Sequence, residues 1–279
     1  MVSRGITCHA SARTCHMKIA VHLHLYYLEQ LPRFLKKLKN LPANSYDLFV
    51  TMVSSNKMIE QAVLSFNPKA KIIFVPNRGF DVGPFIFVLS QIELEAYDYV
   101  LKIHTKNWNW RYLTRLNNVW FNHKNWSRLL INSLLKSKAV VARNLKLFEN
   151  NPQIGMLASS YCITDEDFCY QGLLNFINSE LKKINYSNVM PLPFVAGTMF
   201  MVRAKLLKPL QGKYNIEDFD FSSTIIKDYT LAHALERMFG ILVQLQGFEI
   251  QGVKYDKPDM YIALALKSKE VIQRVFSFS

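Results

Sequence analysis

The chain has 279 residues, and 50% of them are hydrophobic, which is enough for one sizeable core and is untypical of a disordered protein. The sequence has no run of roughly 18 uncharged apolar residues, so we expect no membrane-spanning helix. The 34 Lys and Arg exceed the 21 Asp and Glu by 13. Because these basic residues are scattered rather than grouped with aromatic ones, the charge favours a phosphate-bearing small substrate and a membrane surface over nucleic acid.

The first 16 residues are excluded from the fold prediction. They lack the apolar region of a secretory signal, and Met17 stands directly before a clear strand pattern. We therefore expect Met17 to be the natural start, and residues 1–16 to be a leader or a cloning remnant.

The first half of the chain alternates short apolar runs with segments of helical spacing. The runs predict strands, and the segments between them predict helices. In chain order we predict a strand at 18–25, a helix at 28–41, a strand at 46–53, a helix at 56–67, a strand at 71–75, a helix at 82–91 and a strand at 97–103. This order predicts an α/β protein with a mostly parallel sheet that binds its ligand at the carboxyl ends of the strands.

The second half is less regular. We predict a basic amphipathic helix at 126–147, a strand at 154–158, a polar helical insertion at 162–188, a strand at 194–202, a helix at 228–239 and a last strand at 241–245. No linker composition forces a cut, so we expect one domain over 17–279. Its nucleotide-binding half would cover about 17–110, and its acceptor half about 111–279.

The loop after the third strand carries the sequence NRGFDVGP. Gly79 and Gly83 permit close approach of a ligand, and the helix that follows offers free N–H groups to an anion. Asn77 and Arg78 are candidates for phosphate binding, and Asp81 is a candidate acceptor from sugar hydroxyls. The alternative is a plain helix entry with Asp81 as the N-cap.

The fourth strand ends in the sequence KIHTK, at the predicted ligand edge. Lys102 and Lys106 suit a diphosphate, and His104 could bind phosphate, ligate a metal or transfer a proton. A basic loop with a structural histidine is the alternative. The first two strands add His22, His24 and Thr51 to the same candidate donor site. The two histidines share a face and could ligate a metal, but with no carboxylate or Cys near them in sequence, a packed core pair explains them better than a metal site.

Two later segments supply candidates for the sugar, the acceptor and catalysis. The apolar segment 194–203 contains Gly197, Thr198 and Met199, and a glycine in a strand often marks close approach of a ligand or a bulge. The helix predicted from Asp228 carries the polar residues His233, Glu236 and Arg237 on its first turns. Surface charges on a capped amphipathic helix are the alternative explanation.

Seven segments in this order resemble the rhamnan synthesis protein F family of bacterial polysaccharide glycosyltransferases. They are HLHLYY from His22, YDLFVT from Tyr46, NRGFDVGPF from Asn77, YDYVLKIHTK from Tyr97, NPQIGML from Asn151, FVAGTMFMVR from Phe194 and DYTLAHALERMFG from Asp228. Met201 departs from the pattern, which has an aromatic residue there.

The resemblance implies a GT-A-like fold and transfer of a sugar, often L-rhamnose, from a nucleotide-diphosphate donor to a lipid-linked surface glycan, with inversion at the anomeric carbon. It also implies a carboxylate base, which we assign to Asp228 with Glu236 in reserve and His233 as an orienting group. Typical GT-A enzymes bind Mg²⁺ or Mn²⁺ through a DxD motif after the fourth strand. KIHTK stands there instead, so we expect cationic side chains rather than a metal to neutralise the diphosphate.

Two other functions stay open on the sequence. A non-catalytic glycan-binding or scaffold subunit of a polysaccharide assembly complex would explain the absent DxD, and a nucleic-acid-binding protein would show strongly salt-dependent affinity. The basic helix and the tail at 261–278 could contact the inner face of the cytoplasmic membrane, or they could be ordinary surface helices. We expect a cytoplasmic protein with such a peripheral contact.

Overall fold

The computed structural model describes residues 17–108, 113–116, 119–164, 171–222 and 230–254. The strands are β1 (Ile19–His24), β2 (Tyr46–Met52), β3 (Lys71–Phe74), β4 (Tyr99–His104), β5 (Leu113–Leu116), β6 (Val119–Asn122), β7 (Ile154–Ser159), β8 (Ile163–Thr164), β9 (Phe194–Val195), β10 (Phe200–Arg203) and β11 (Glu249–Val253). The helices are α1 (Leu31–Leu38), α2 (Lys57–Phe66), α3 (Val82–Gln91), α4 (His123–Leu135), α5 (Lys138–Asn150), α6 (Gln171–Lys183) and α7 (Leu231–Leu245). The predicted leader, Asp228 and the tail lie outside the described residues.

Seven strands form one central sheet in the order β11-β7-β10-β4-β1-β2-β3. Within it, β10 runs antiparallel to both of its neighbours, and the other pairs are parallel. Apolar side chains on both faces of the sheet pack against the helices in one continuous core. The predicted fold class, an α/β protein with a mostly parallel sheet flanked by helices, is confirmed.

The strand register brings the polar residues of the first half together. His24 pairs with Thr51 on β2 and with His104 on β4, and His22 pairs with Lys102 on β4. Paired residues of parallel strands project to the same face of a sheet, and so do residues two apart on one strand. All five polar side chains therefore project to one face, near the carboxyl ends of the strands.

Three predicted elements are wrong in their extent. The segment predicted as a last strand, 241–245, is the end of α7, and the last strand is β11. Ile241, Leu242 and Val243 are all buried, so this end of the helix shows no helical period in its apolar residues, and the pattern wrongly indicated a strand. The strand predicted at 194–202 is split into β9 and β10 by Gly197 and Thr198, whose φ angles are +84° and +47°.

The predicted helix at 126–147 is also divided. Ser137 ends the continuity between α4 and α5, because its hydroxyl accepts a hydrogen bond from the Val140 N–H and caps the second helix. Among the described residues, no helix combines the length and the apolar character that a membrane span requires.

Candidate active site

A buried ion pair links the loop before α3 to β4. The ammonium of Lys102, which is fully buried, contacts Oδ2 of Asp81 and donates to the hydroxyl and the carbonyl of Thr198 at 2.9 and 3.1 Å. The Thr198 hydroxyl also donates to Asp81 Oδ2. Asp81 stands at the N-cap position of α3, but its side chain makes no cap hydrogen bond. Its carboxylate is therefore used for the ion pair and not for helix capping.

This ion pair has a strong effect on titration. Burial alone would raise the pKa of the Asp81 carboxyl, but the charges of His104 when protonated, of Lys102 and of Lys106 outweigh it and hold that pKa well below its usual value. Burial lowers the pKa of the Lys102 ammonium, an effect that Asp81 opposes. We therefore treat both groups as charged at neutral pH.

Three buried histidines, His22, His24 and His104, lie on the same face of the sheet as Lys102. His22 Nε2 and His24 Nδ1 lie 2.9 and 3.0 Å from the Thr51 hydroxyl, which joins both rings. Burial lowers the pKa of His24 to about 4 and the pKa values of His22 and His104 well below their usual value, so all three rings are neutral at pH 7. Within the described part of the chain, neither ring nitrogen of His104 has a hydrogen-bond partner, although Nδ1 lies 3.4 Å from Asp81 Oδ2.

A cavity of about 440 Å³ opens at this edge of the sheet. Nine of the residues predicted as site residues line it: His24, Asn77, Asp81, His104, Lys106, Gly197, Thr198, His233 and Glu236. Among the described lining residues, Lys106 is the one Lys or Arg, and Asp81 and Glu236 are the two carboxylates. The turn after β3 and the end of β4 thus meet at one cavity, as the sequence predicts.

Glu236 ties α7 to the loop between β9 and β10. Its Oε1 accepts a hydrogen bond of 2.8 Å from the Gly197 N–H, and its Oε2 lies 3.3 Å from Nη1 of Arg237. A carboxylate has about four acceptor positions, so Glu236 keeps capacity for a ligand hydroxyl. Nearby, His233 Nδ1 lies 2.8 Å from the Thr230 hydroxyl, and its ring packs edge-on against Phe80.

Several predicted site residues do not line the cavity. Arg78 donates to the Phe219 carbonyl at 2.7 Å and stacks on Phe221, with 3.7 Å between guanidinium and ring centroid, because the chain at 219–222 pairs with its loop. The predicted phosphate contact of Arg78 does not fit this placement. Met199 is fully buried in the core, and Arg237 lies 4.8 Å from the ring centroid of Phe194.

The remaining members of the predicted donor site lie behind the lining or support its backbone. His22 and Thr51 are buried beneath His24, and the ammonium of Lys102 is enclosed by Asp81 and Thr198. A direct contact between Lys102 and a diphosphate, which the sequence predicts, therefore conflicts with the structure. Gly79 contacts Phe219, and Gly83 packs against the Arg78 carbonyl, so both glycines shape the loop rather than the cavity wall.

The described residues do not fit a divalent metal at this position. Asp81 is the carboxylate at the end of the sheet, but its Oδ2 is taken by an ammonium group and a hydroxyl. The described part of the chain contains no group of three His, Cys, Asp or Glu placed to hold a metal ion. Lys102 therefore holds the position beside Asp81 that a cation would need.

Aromatic lining residues are what sequence reasoning missed. Tyr26 and Tyr27 follow Leu25 at the end of β1, Phe80 lies inside the loop before α3, and Trp126 lies in the first turn of α4. Tyr26 and Phe80 lie outside the core, and their exposed fractions are 47% and 39%. Position after a predicted strand could have identified the two tyrosines, whereas no sequence signal places Trp126 at the cavity.

Comparison with known proteins assigns a family. The family described as Rhamnan synthesis protein F matches residues 1–248. The chain belongs to this family. WxcX of Xanthomonas campestris pv. campestris is 25% identical over 249 residues, which are 86% of this chain and 33% of WxcX. The chain thus spans about a third of the length of the curated relatives that it matches.

Solved structures show weaker likeness. Staphylococcus aureus TarS 1–349 in complex with UDP has a TM-score of 0.47 at 15% identity, over 85% of this chain and 59% of TarS 1–349. The mannosyltransferase PcManGT from Pyrobaculum calidifontis has a TM-score of 0.42 at 12% identity, over 88% of this chain and 58% of PcManGT. These likenesses are too low to assign an activity.

Proposed function

We propose that the chain is a glycosyltransferase that moves a sugar, L-rhamnose in the first instance, from a nucleotide-diphosphate donor to a lipid-linked surface glycan. Membership of the rhamnan synthesis protein F family supports the reaction class. The observation that carries the proposal is the cavity at the carboxyl edge of the sheet, where a lysine, two carboxylates and several aromatic rings converge.

The reaction is a displacement at the anomeric carbon with inversion. An acceptor hydroxyl oxygen forms the new bond to that carbon, the bond to the diphosphate oxygen breaks, and the nucleoside diphosphate leaves with the electron pair. The acceptor proton passes to a carboxylate base. Lys106 is the cation in the described lining that can stabilise the charge that develops on the diphosphate.

The other lining groups hold the sugar. Every contact described for the Asp81 carboxylate is made by Oδ2, so Oδ1 is left to accept from a sugar hydroxyl. The neutral imidazole of His104 has two nitrogens without a hydrogen-bond partner among the described residues, and it can exchange hydrogen bonds with the same ligand. Tyr26 and Trp126 offer apolar faces on which a sugar ring or a base can stack.

Two carboxylates are candidates for the base. The family resemblance points to Asp228, with Glu236 in reserve. Asp228→Asn should lower kcat by about 100- to 10,000-fold with little change in donor affinity, which is the range for loss of a general base. Glu236→Gln should act mainly on KM, because Glu236 already holds the Gly197 N–H. Glu249→Gln, on an exposed position of β11, is the matched control. Full turnover in Asp228→Asn would reject the assignment.

A thermal-shift panel of nucleotides and nucleotide sugars tests the proposal. A ligand at 100 times its Kd stabilises the native state by about 2.7 kcal/mol, so the correct donor should raise Tm clearly. We expect the rise to persist in excess EDTA, since the described residues do not fit a metal. Transfer to an acceptor glycan is then measured by loss of the donor. Binding without turnover would instead support a glycan-binding scaffold subunit, and no shift with any nucleotide would reject the proposal.

A further inference from the structure

The net charge of the chain is concentrated in two segments, residues 30–46 and 99–148. Together they contain fourteen of the 34 Lys and Arg and no Asp or Glu, whereas the other twenty basic residues are outnumbered by 21 acidic ones. The scattered distribution that we assumed from the sequence is therefore wrong. All of the excess positive charge lies in parts of the chain that include α1, β4, α4 and most of α5.

The helix α4 directs its basic residues to one side. Lys124, Arg128, Asn132 and Lys136 recur at four-residue intervals, and all four are partly exposed. The opposite side of the helix is buried, including Leu130 and Leu134. Residues four apart lie above one another on a helix, so the cations form a stripe that faces outward.

The helix α1 lies beside this stripe. Arg33 donates to the Ser127 hydroxyl at 3.4 Å, and the Asn40 side chain donates to the Leu135 carbonyl at 2.9 Å. Burial, followed by the like charges of Arg33, Lys136 and Lys36, lowers the pKa of Lys37 to about 8. Cations of both helices are therefore close enough to repel one another. We call Arg33, Lys36, Lys37, Lys124, Arg128 and Lys136 the basic band.

The basic band is continuous with the cavity. Trp126 lies on the side of α4 opposite the stripe, but Lys106 and Asn107, which follow β4, also line the cavity, and Trp108 comes directly after them. The Arg33 guanidinium lies 4.6 Å from the Trp108 ring centroid. Tryptophan suits the boundary between water and lipid, because its ring is apolar and its N–H is polar.

We propose that the basic band is a docking surface for an anionic lipid bilayer, and that docking holds the cavity mouth at the headgroups. The choice of a bilayer as the partner follows from charge, because six cations on two adjacent helices complement a surface of lipid phosphates. A single-stranded nucleic acid would call for aromatic side chains between the cations along the band, whereas the one described tryptophan that contacts a cation of the band, Trp108, lies at its cavity end. The role of docking in delivering a lipid-linked acceptor rests on the proposed function; the surface itself does not.

Flotation with vesicles tests this surface on the full chain. We compare vesicles of phosphatidylcholine with vesicles of equal parts phosphatidylcholine and phosphatidylglycerol. The protein should bind the anionic vesicles only, and binding should weaken as salt is added. Because each Lys or Arg contributes about 1 kcal/mol near an anionic surface, the triple variant Lys36→Gln, Lys37→Gln, Arg128→Gln should bind about 100-fold more weakly.

A matched triple variant separates the band from overall charge. Lys57→Gln, Lys69→Gln and Lys213→Gln remove the same charge from exposed positions outside the band, and should leave vesicle binding within a few-fold of wild type. Equal losses in both triples, or undiminished binding by the band triple, would overturn the proposal. So would band-dependent binding of poly(U) that exceeds vesicle binding at the same salt concentration.

Two further readouts keep the proposals apart. The band triple should melt within a few degrees of wild type, since it removes like-charge repulsion. Its nucleotide-sugar thermal shift and its turnover of a water-soluble acceptor should be unchanged. A protein that binds anionic vesicles through the band but shifts with no nucleotide would uphold the surface and reject the proposed function.

Discussion

Replacing Lys102 by Met removes the cation of the buried ion pair while keeping a side chain of similar length. The wild-type ammonium is fully buried, and its contacts go to Asp81 and Thr198. In the variant, the Asp81 carboxylate keeps the Thr198 hydroxyl but loses the charge that balances it. The thioether of methionine supplies no donor, so an uncompensated charge remains at the edge of the sheet.

The expected cost follows from the burial of both partners. Breaking a buried ion pair by removing one partner costs about 3–5 kcal/mol. The Asp81 side chain is 16% exposed, so water recovers part of the loss and the lower end, about 3 kcal/mol, applies. The double variant with Asp81→Asn has no orphaned charge and should regain much of this free energy of unfolding.

Equilibrium unfolding in urea of wild type, both single variants and the double variant measures the coupling between the two residues. The sign of the pH dependence is a second test. The wild-type Asp81 carboxyl has a depressed pKa, so its contribution to stability is present above its unfolded pKa and is lost as pH falls. Removing Lys102 takes away one of the charges that oppose burial, so the pKa of Asp81 should be higher in the variant than in wild type, and the variant should lose less stability as pH falls.

An exposed ion pair provides the matched control. Lys208 pairs with Glu95 at the surface, with both side chains more than half exposed, so Lys208→Met should lower the free energy of unfolding far less than Lys102→Met. If Lys102→Met cost no more than Lys208→Met, or if the two single variants were additive, the ion pair would not organise the edge of the sheet as we describe.

Three further outcomes are expected. Lys106→Gln should raise the Kd of the nucleotide-sugar donor by about 10- to 150-fold, as measured by calorimetry, because loss of a charged hydrogen bond costs about 1.5–3 kcal/mol. The depressed pKa of His24 means that, between pH 6.5 and about 4, the unfolded state binds a proton that the folded state does not. The free energy of unfolding should therefore fall by up to about 3 kcal/mol as pH falls across that range. In urea unfolding, His24→Asn should flatten this part of the pH profile. Gly197→Ala should lower the free energy of unfolding by about 1–3 kcal/mol more than Gly212→Ala. Both glycines have positive φ, but a Cβ at 197 would lie 2.9 Å from both Leu130 and Trp126, while no described atom lies within 4 Å of a Cβ at 212.

The sequence predicted the first half of the fold well, for physical reasons. Strands of a parallel sheet are buried on both faces, so β1, β2 and β4 are nearly continuous apolar runs that stand out from the amphipathic segments between them. The predicted bounds of α3 agree with the structure, since Asn77–Gly79 opens the loop before it. Alternation along β1 also predicted that His22 and His24 share a face, which the register with β2 confirms.

The candidate site could be predicted in position but not in detail. Periodicity assigns Lys102 to a face of β4, yet its partner Thr198 is 96 residues away, in a loop that the pattern read as a continuous strand. Only a backbone with two successive positive φ angles turns that threonine toward Asp81. The buried end of α7 was not predicted as helix, because a helix that is apolar on all sides has no hydrophobic period to detect. The role of Asp228 stays a prediction.

The central correction to the sequence-based site concerns which lysine a diphosphate can meet. Lys102 and Lys106 lie four residues apart, and the pattern alone makes them equivalent. Lys102 is neutralised inside the protein by Asp81, so it contributes no net charge to a ligand, whereas Lys106 lines the cavity beside Trp126. The buried pair instead fixes three segments, the start of α3, the end of β4 and the loop between β9 and β10, before any ligand arrives. Such preorganisation holds the Asp81 carboxylate at the cavity wall before binding, so we expect Lys102 to support a ligand through Asp81 without contacting it.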